Sequence, residues 1–449
     1  MVPLYTFYLS PDDFGYYDLI ISTVSVILPI ITIQIYDAMY RFMLDKEDIN
    51  EKKDIVRISM RCLLFSLIIL NCFAFILSLI SDIQYLFLIV LYLNLSIINN
   101  FYDQILRGFK LNKLFASINI FKSLILLTLN VVFITKFKLG VAGLLVSSII
   151  SMSIGIVILE SKVKMIKLIK YRKKNSKQTL LEMIKYSLPL IPNSINWWIV
   201  SLSDRYIINM VLGVAANGVY AIANKFSTII VFINDIFYMA WKESAIDESR
   251  EADKGKNLFE EVFDVYSTLQ FTTILIIIPM LKILVPKVIS SEYHNAVNLI
   301  PILILAAVFQ SMSGFFGASY LSSKDTKNLF YSSLISALIN IFINLILINK
   351  IGLLAASLST LISYFILFMY RLVQCKRYLN IKLRVKKMAL LNILVIIYIC
   401  IYYINSIAVQ AFIIVVGIIL FIHFNKEFIS KAMIFTRSII KKKIKCKKE

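Results

Sequence analysis

The chain has 449 residues, 59% of them apolar (AVILMFWYC) and only 17% charged, with a formal charge of +21. Soluble proteins run at roughly 45–50% apolar and about 25% charged, and the mean hydropathy here is +0.79. That combination excludes a soluble fold and leaves the basic excess to be explained by membrane topology or by nucleic acid.

Apolar runs of about 20 residues are long enough to cross a bilayer. They predict thirteen spans near 17–40, 61–80, 85–106, 114–135, 139–160, 186–210, 218–240, 262–281, 297–320, 329–349, 352–371, 389–404 and 407–424. Ahead of them, 1–9 is apolar but too short to span at about 1.5 Å per residue, and reads as the end of a truncated first helix. No basic segment precedes it in the manner of a signal peptide.

If the first full span runs inward, the inside loops are 41–61, 107–113, 161–185, 241–261, 321–328, 371–388 and the tail from 425, and they hold 40 of the 48 Lys and Arg. The outside keeps Lys136, Lys138, Lys282, Lys287 and Lys350. Positive charge gathers on cytoplasmic loops, so the C-terminus is expected in the cytoplasm and the nucleic-acid reading loses its support. Five scattered cysteines read as free thiols, and two isolated histidines give no zinc site. No cofactor is expected.

The basic stretch 161–185 divides the chain into an N-terminal lobe (1–160), a linker and a C-terminal lobe (186–373), followed by two further helices (374–424) and a basic tail (425–449). A weak internal repeat supports two six-helix lobes. Leu139-Gly140-Val141-Ala142-Gly143 with Ser147 and Ser151 matches Ile351-Gly352-Leu353-Leu354-Ala355 with Ser359 and Ser363. Phe14-Gly15-Tyr16-Tyr17 matches Asn217-Gly218-Val219-Tyr220 at a similar offset. Glycine numbers only 12, so serine and alanine must supply the small residues where helices meet. Pro29, Pro189, Pro192, Pro279 and Pro301 fall in or at the ends of spans and invite kinks.

A charge at mid-bilayer costs about 2.5–3.5 kcal/mol on insertion scales, so ionisable residues in spans should face protein or water. They are Lys122, Arg205 and Lys225, with Asp18, Asp37, Asp103, Asp204, Asp235 and Asp264; of these, Asp18, Asp37 and Asp264 read as helix-end residues that reach the interface cheaply. Along 186–206, Asn193, Asn196, Trp197, Ser201 and Asp204 recur at three- and four-residue steps and make a polar stripe. Lys225, Thr228, Phe232 and Asp235 follow the same spacing on 218–240, while Asn99, Asn100, Asp103 and Gln104, and Asn119 with Lys122, add polar clusters on two more spans. Four helices can thus line one wet cavity. Arg205, Lys122 and Lys225 together favour an anion such as pyrophosphate, whose oxygens a guanidinium grips with two N–H groups. Asp103 or Asp235 could carry a coupling ion. The alternative is internal pairing, of Arg205 with Asp204 or Asp235 for instance.

The block YSLPLIPNSINWWIVSLSDRY at 186–206, then Gly213, Gly218-Val219-Tyr220-Ala221-Ile222-Ala223-Asn224-Lys225 and Ala240-Trp241-Lys242, resembles the bacterial polysaccharide flippases of the multidrug/oligosaccharidyl-lipid/polysaccharide exporter superfamily. The run from Pro3 to Pro11 with Phe14, Gly15 and Asp18 looks like the end of their first helix and the following turn. The resemblance implies an all-α polytopic membrane protein of two six-helix lobes around a central cavity, plus two C-terminal helices, working by alternating access. The implied substrate is an undecaprenyl-pyrophosphate-linked oligosaccharide, moved outward across the bacterial cytoplasmic membrane for capsule, exopolysaccharide or O-antigen assembly, with polysaccharide polymerase machinery as a partner. Asn193, Asp204 and Arg205 match positions in the family's recurrent block. The runner-up is a cation-coupled multidrug exporter of the same superfamily, against which the basic trio speaks. A membrane glycosyltransferase is the enzymatic rival; Asp12-Asp13 would be its acidic pair, but after Pro11 these are expected to cap a helix, and no catalysis is predicted.

Overall fold

A computed structural model describes residues 1–164, 176–248, 252–322, 326–379 and 384–430. The middle of the basic linker and the tail from 431 lie outside the described residues. The helices in chain order are α1 (Val2–Tyr8), α2 (Pro11–Ile31), α3 (Ile35–Leu44), α4 (Ile49–Ile80), α5 (Leu86–Gly108), α6 (Asn112–Val131), α7 (Gly140–Val163), α8 (Ser176–Ser187) and α9 (Leu190–Leu212). They continue with α10 (Val214–Glu248), α11 (Ala252–Val288), α12 (Ile300–Ser322), α13 (Thr326–Ile351), α14 (Leu353–Leu379), α15 (Val385–Tyr402) and α16 (Ile407–Phe424). Among the described residues, eleven helices are long and apolar enough to cross a membrane. α9 is not one of them, because its polar stripe lowers its hydropathy.

Local chemistry accounts for several helix starts. Ser10 Oγ accepts the Asp13 N–H at 3.1 Å, Pro11 takes the first helical position, and Asp12 and Asp13 sit where the helix dipole favours negative charge. The cap is Ser10, and the acidic pair lies in the first turn of the helix rather than capping it. Gly140 and Gly352, aligned by the internal repeat, both adopt left-handed backbone, with φ of +55° and +59°, at the turns that begin α7 and α14. That conformation strains any residue with a Cβ.

Two expected spans are interrupted. The segment read as one span over 17–40 breaks between α2 and α3, where Ile33 and Gln34 both take φ of 50°. Pro29 lies inside α2 just before the break, and a β-branched residue in left-handed backbone costs about 1–2 kcal/mol. The span read as starting at 186 is likewise divided at Leu188 and Pro189, between α8 and α9. Hydropathy does not register such breaks, since the residues on either side remain apolar.

Residues 3–218 form one compact unit and residues 219–449 a second. In the first, the core closes around α3: Ile35, Ala38, Met39 and Met43 are fully buried against Val56 of α4, Ile97 and Ile105 of α5 and Met183 of α8. In the second, α12, α13 and α14 pack tightly. Small residues make this possible as expected, with Ser336, Ala337, Ala355, Ala356, Ser359 and Ser363 all buried. An aromatic cluster fills its other side, Trp241 stacking on Phe315 at 4.4 Å with Phe263, Phe316 and Phe368 around them. Asp264 of α11 pairs with Lys387 at the start of α15, 3.1 Å away.

Arg371, counted in the sequence among loop cations, lies instead in the interior of the second unit at 1% exposure. Its guanidinium donates to Ser313 O, Ser332 Oγ and Ser333 Oγ at 3.0, 3.1 and 2.9 Å, joining α12, α13 and α14. A lysine retains the charge but has no planar fork to reach all three acceptors. Arg371→Lys is therefore expected to cost about 2–4 kcal/mol, read as a lower unfolding temperature in detergent.

Candidate functional site

α9 packs mainly on α2, through Trp198, Arg205 and Tyr206, which lie beside the predicted stripe. Gly15, Asp18 and Ser22 of α2 fall on one helical face, of which Asp18 and Ser22 meet α9 and Gly15 meets the start of α10. The guanidinium of Arg205 donates through Nε to Asp18 Oδ2 at 2.7 Å and through a terminal nitrogen to Ser201 O at 2.9 Å, with Arg205 at 7% and Asp18 at 8% exposure. Farther along the seam, Trp198 Nε1 donates to Ser22 O at 2.8 Å, and the hydroxyls of Thr23 and Tyr206 are hydrogen-bonded. The Trp198 indole lies edge-on to Tyr206, ring centres 5.3 Å apart. At the far end, Gln34 Nε2 donates to Leu190 O at 3.2 Å and to Ser194 Oγ.

The other end of the seam is closed by backbone. A Cβ on Gly15 would overlap Val214 O, and one on Gly218 would overlap Pro11 O. Asn217 Nδ2 donates to Gly15 O at 2.9 Å from a fully buried position. Only glycine lets the start of α10 approach α2 this closely.

A second polar cluster lies between α5 and α6. Lys122 Nζ donates to Asn99 Oδ1 at 2.6 Å and stands 3.7 Å from Asp103 Oδ1. Its aliphatic stem passes directly over Gly155 of α7, and Ser151 Oγ donates to the Lys122 carbonyl at 2.6 Å. Gln104, one turn on from Asn99 and Asn100, donates to Asp37 of α3 at 2.8 Å.

The expected site residues thus fall in three places. Arg205, Asp204, Asn193, Asn196 and Trp197 are on α9, with Asp204 and Asn196 buried and Asn193 and Trp197 half-buried. Lys122 and Asp103 meet each other. Lys225 and Asp235 are exposed on the part of α10 that belongs to the second unit. Arg205 pairs with Asp18, a carboxylate the sequence had not put forward as its partner. Asp18 had read as a helix-end residue reaching the interface, and its burial corrects that. The indole that joins α2 belongs to Trp198, next to the one the spacing singled out. A signal for α2 was present in the 15, 18, 22 spacing of small and polar residues, but spacing shows a face and not its partner.

Comparison with known proteins places this geometry. Residues 1–241 match the family described as Polysaccharide biosynthesis protein. No curated protein sequence matches. Among solved structures, the chain is similar to a lipid II flippase, MurJ, in an inward closed conformation, with a TM-score of 0.70 at 16% identity over 96% of this chain and 95% of that one. It is also similar to a multidrug resistance MATE family transporter of the MOP superfamily, with a TM-score of 0.64 in the inward-facing conformation at 12% identity, covering 84% of this chain and 93% of that one. The outward-facing conformation gives a TM-score of 0.55 at 12% identity over 85% and 96%. The fold is the one these structures share, and the chain is a multi-pass membrane protein.

Proposed function

Because the chain belongs to the polysaccharide biosynthesis family, we propose that it is a flippase carrying undecaprenyl-pyrophosphate-linked oligosaccharide repeat units across the cytoplasmic membrane for capsule, exopolysaccharide or O-antigen assembly. The observation that carries this reading is the family match over residues 1–241, which contains the whole α2–α9 seam and Lys122. Thirteen spans, a cytoplasmic C-terminus, two lobes on either side of the basic linker, and supply to a polysaccharide polymerase belong to the same proposal. The fold similarity to a lipid II flippase supports it.

In this reading Arg205 exchanges partners. Its guanidinium is held by Asp18 when the seam is closed, and a pyrophosphate offers the same planar pair of acceptor oxygens with more charge. Lys122 and Lys225 add positive charge along the path, Asn193, Asn196 and Trp197 offer amides and a ring face to sugars, and Asp103 or Asp235 carries a coupling ion. The prenyl chain stays in the bilayer. A multidrug exporter of this fold would use an acidic residue standing without a cation; the buried carboxylate of α2, Asp18, is instead paired with Arg205.

The chain transports and catalyses no bond change in this proposal. A strain lacking it is expected to accumulate lipid-linked repeat units on the cytoplasmic leaflet. Normal delivery to the outer leaflet in that strain, or purified protein that makes or cleaves glycosidic bonds, contradicts the reading.

A further inference from the structure

Tyr16, Ile20 and Ile27 fall on the side of α2 opposite Asp18, and between them and α4 and α5 runs an apolar groove of about 520 Å³. Ile20, Leu70 and Leu93 form its buried floor, while Ile30, Phe73 and Ile83 stand exposed along its rim, so it opens sideways onto the surface a bilayer covers. Its two polar side chains are already engaged. Tyr16 donates its hydroxyl proton to Gln84 O at 2.9 Å, and Thr23 donates to Leu19 O at 2.7 Å. The groove thus offers no hydrogen bond to water or a polar solute, and hydrocarbon is what it accommodates. It runs about 12 Å along α4 from Ile69 to Leu77 and about 22 Å along α2 from Tyr16 to Ile31. Those lengths bracket half of a hydrocarbon core about 30 Å thick, the reach of one leaflet's chains.

At one end the groove meets carboxylates. Asp12 and Asp13 continue the row of α2 that faces it, one turn before Tyr16. The bond from Tyr16 to Gln84 brings the turn holding exposed Asp82 next to them. No Lys or Arg occurs in residues 1–40 or 62–106, which supply every residue that lines the groove; Lys136 and Lys138, at the turn before α7, do not line it.

We propose that the groove is a lipid site, holding one acyl chain of a phospholipid whose headgroup carries an ammonium, phosphatidylethanolamine being the simplest. Chain and headgroup contribute differently. Lipid tails are as apolar as the groove, so burial from water does not draw the chain in; it enters because an empty groove forfeits dispersion contacts that a chain restores. Any acyl lipid can do that. The headgroup selects: Asp12, Asp13 and Asp82 attract an ammonium, whereas phosphatidylglycerol or a prenyl pyrophosphate brings negative charge with no cation to meet it. The site is therefore separate from the path of the transported lipid in the flippase reading, and it stands without that reading. In the proposed orientation its carboxylates face the outer leaflet.

The test uses the full chain in vesicles of phosphatidylethanolamine and phosphatidylglycerol in equal amounts, with a trace of either lipid carrying the same photoactivatable diazirine on its acyl chain. After illumination, the labelled residues are read by mass spectrometry. The site predicts labelling concentrated on groove residues such as Leu70, Phe73 and Leu93, stronger by about three- to tenfold from the ethanolamine probe, as exposed carboxylate–ammonium pairs of modest strength allow. Asp12→Asn with Asp82→Asn, both at exposed positions, should bring the two probes to equal labelling without moving the labelled residues. Ala74→Phe, which fills the groove from its buried floor, should remove labelling there by both. Labelling spread evenly over exposed helix faces, a preference for the glycerol probe, or a preference unchanged by the aspartate variant overturns the site. So does displacement of the probe by undecaprenyl pyrophosphate, which would give the groove to the transported lipid. A chain that proves to move another solute leaves the expected labelling in place.

Discussion

Asp18→Ala is expected to destabilise the protein by about 3–5 kcal/mol, the usual cost of leaving one partner of a buried ion pair alone. The Arg205 guanidinium would remain at 7% exposure with its carboxylate gone, and water cannot replace that carboxylate without opening the seam. Asp18→Asn combined with Arg205→Gln is expected to recover most of the loss, because two amides can hydrogen-bond across the same gap without a charge to desolvate. Unfolding in detergent, followed by temperature or denaturant, distinguishes these outcomes. An Asp18→Ala variant as stable as the parent would mean that the pair is solvated and the seam open.

The second large effect is expected at Gly218. Overpacking usually costs about 1–3 kcal/mol when side chains can shift, but here the obstacle is the backbone carbonyl of Pro11, and the opposing Gly15 has no side chain to move. Gly218→Leu must push the start of α10 away from α2 and break the bond from Asn217 to Gly15 O. We expect a loss at or above the top of that range, together with new reactivity of a cysteine placed at Asn217, which is fully buried in the parent. Gly314→Ala is the control. A Cβ there meets nothing within 4 Å, so the substitution should be neutral or stabilise the helix by up to about 1 kcal/mol.

Much of this architecture was legible in the sequence because membrane helices announce themselves by composition. Each predicted span contains a helix, and the Ser10-Pro11-Asp12-Asp13 run states its own cap. The 186–206 block identified the resemblance through side chains that are unusual in an apolar helix. What remained hidden depends on contacts between helices. Asp18 looked inexpensive because it lies near a helix end, and only the α9 neighbour makes it a buried counter-ion. Trp197 and Trp198 are adjacent, so a uniform spacing of the stripe cannot decide which one turns toward α2. Arg371 follows an apolar run and looks like the start of a loop until three serines from two other helices enclose it. The interruption at Ile33 and Gln34 has no glycine to mark it; its signature is backbone conformation, which apolar composition conceals.

The most direct test of the central claim is translocation by the Asp18→Asn, Arg205→Gln pair in proteoliposomes loaded with a labelled undecaprenyl-pyrophosphate oligosaccharide. This variant keeps the seam bonded but removes its cation. If the guanidinium receives the pyrophosphate, the protein inserts, folds with near-parental stability and leaves the labelled lipid on the leaflet where it began. Translocation at the parental rate would contradict the account and leave Arg205 with the sole task of holding α9 against α2.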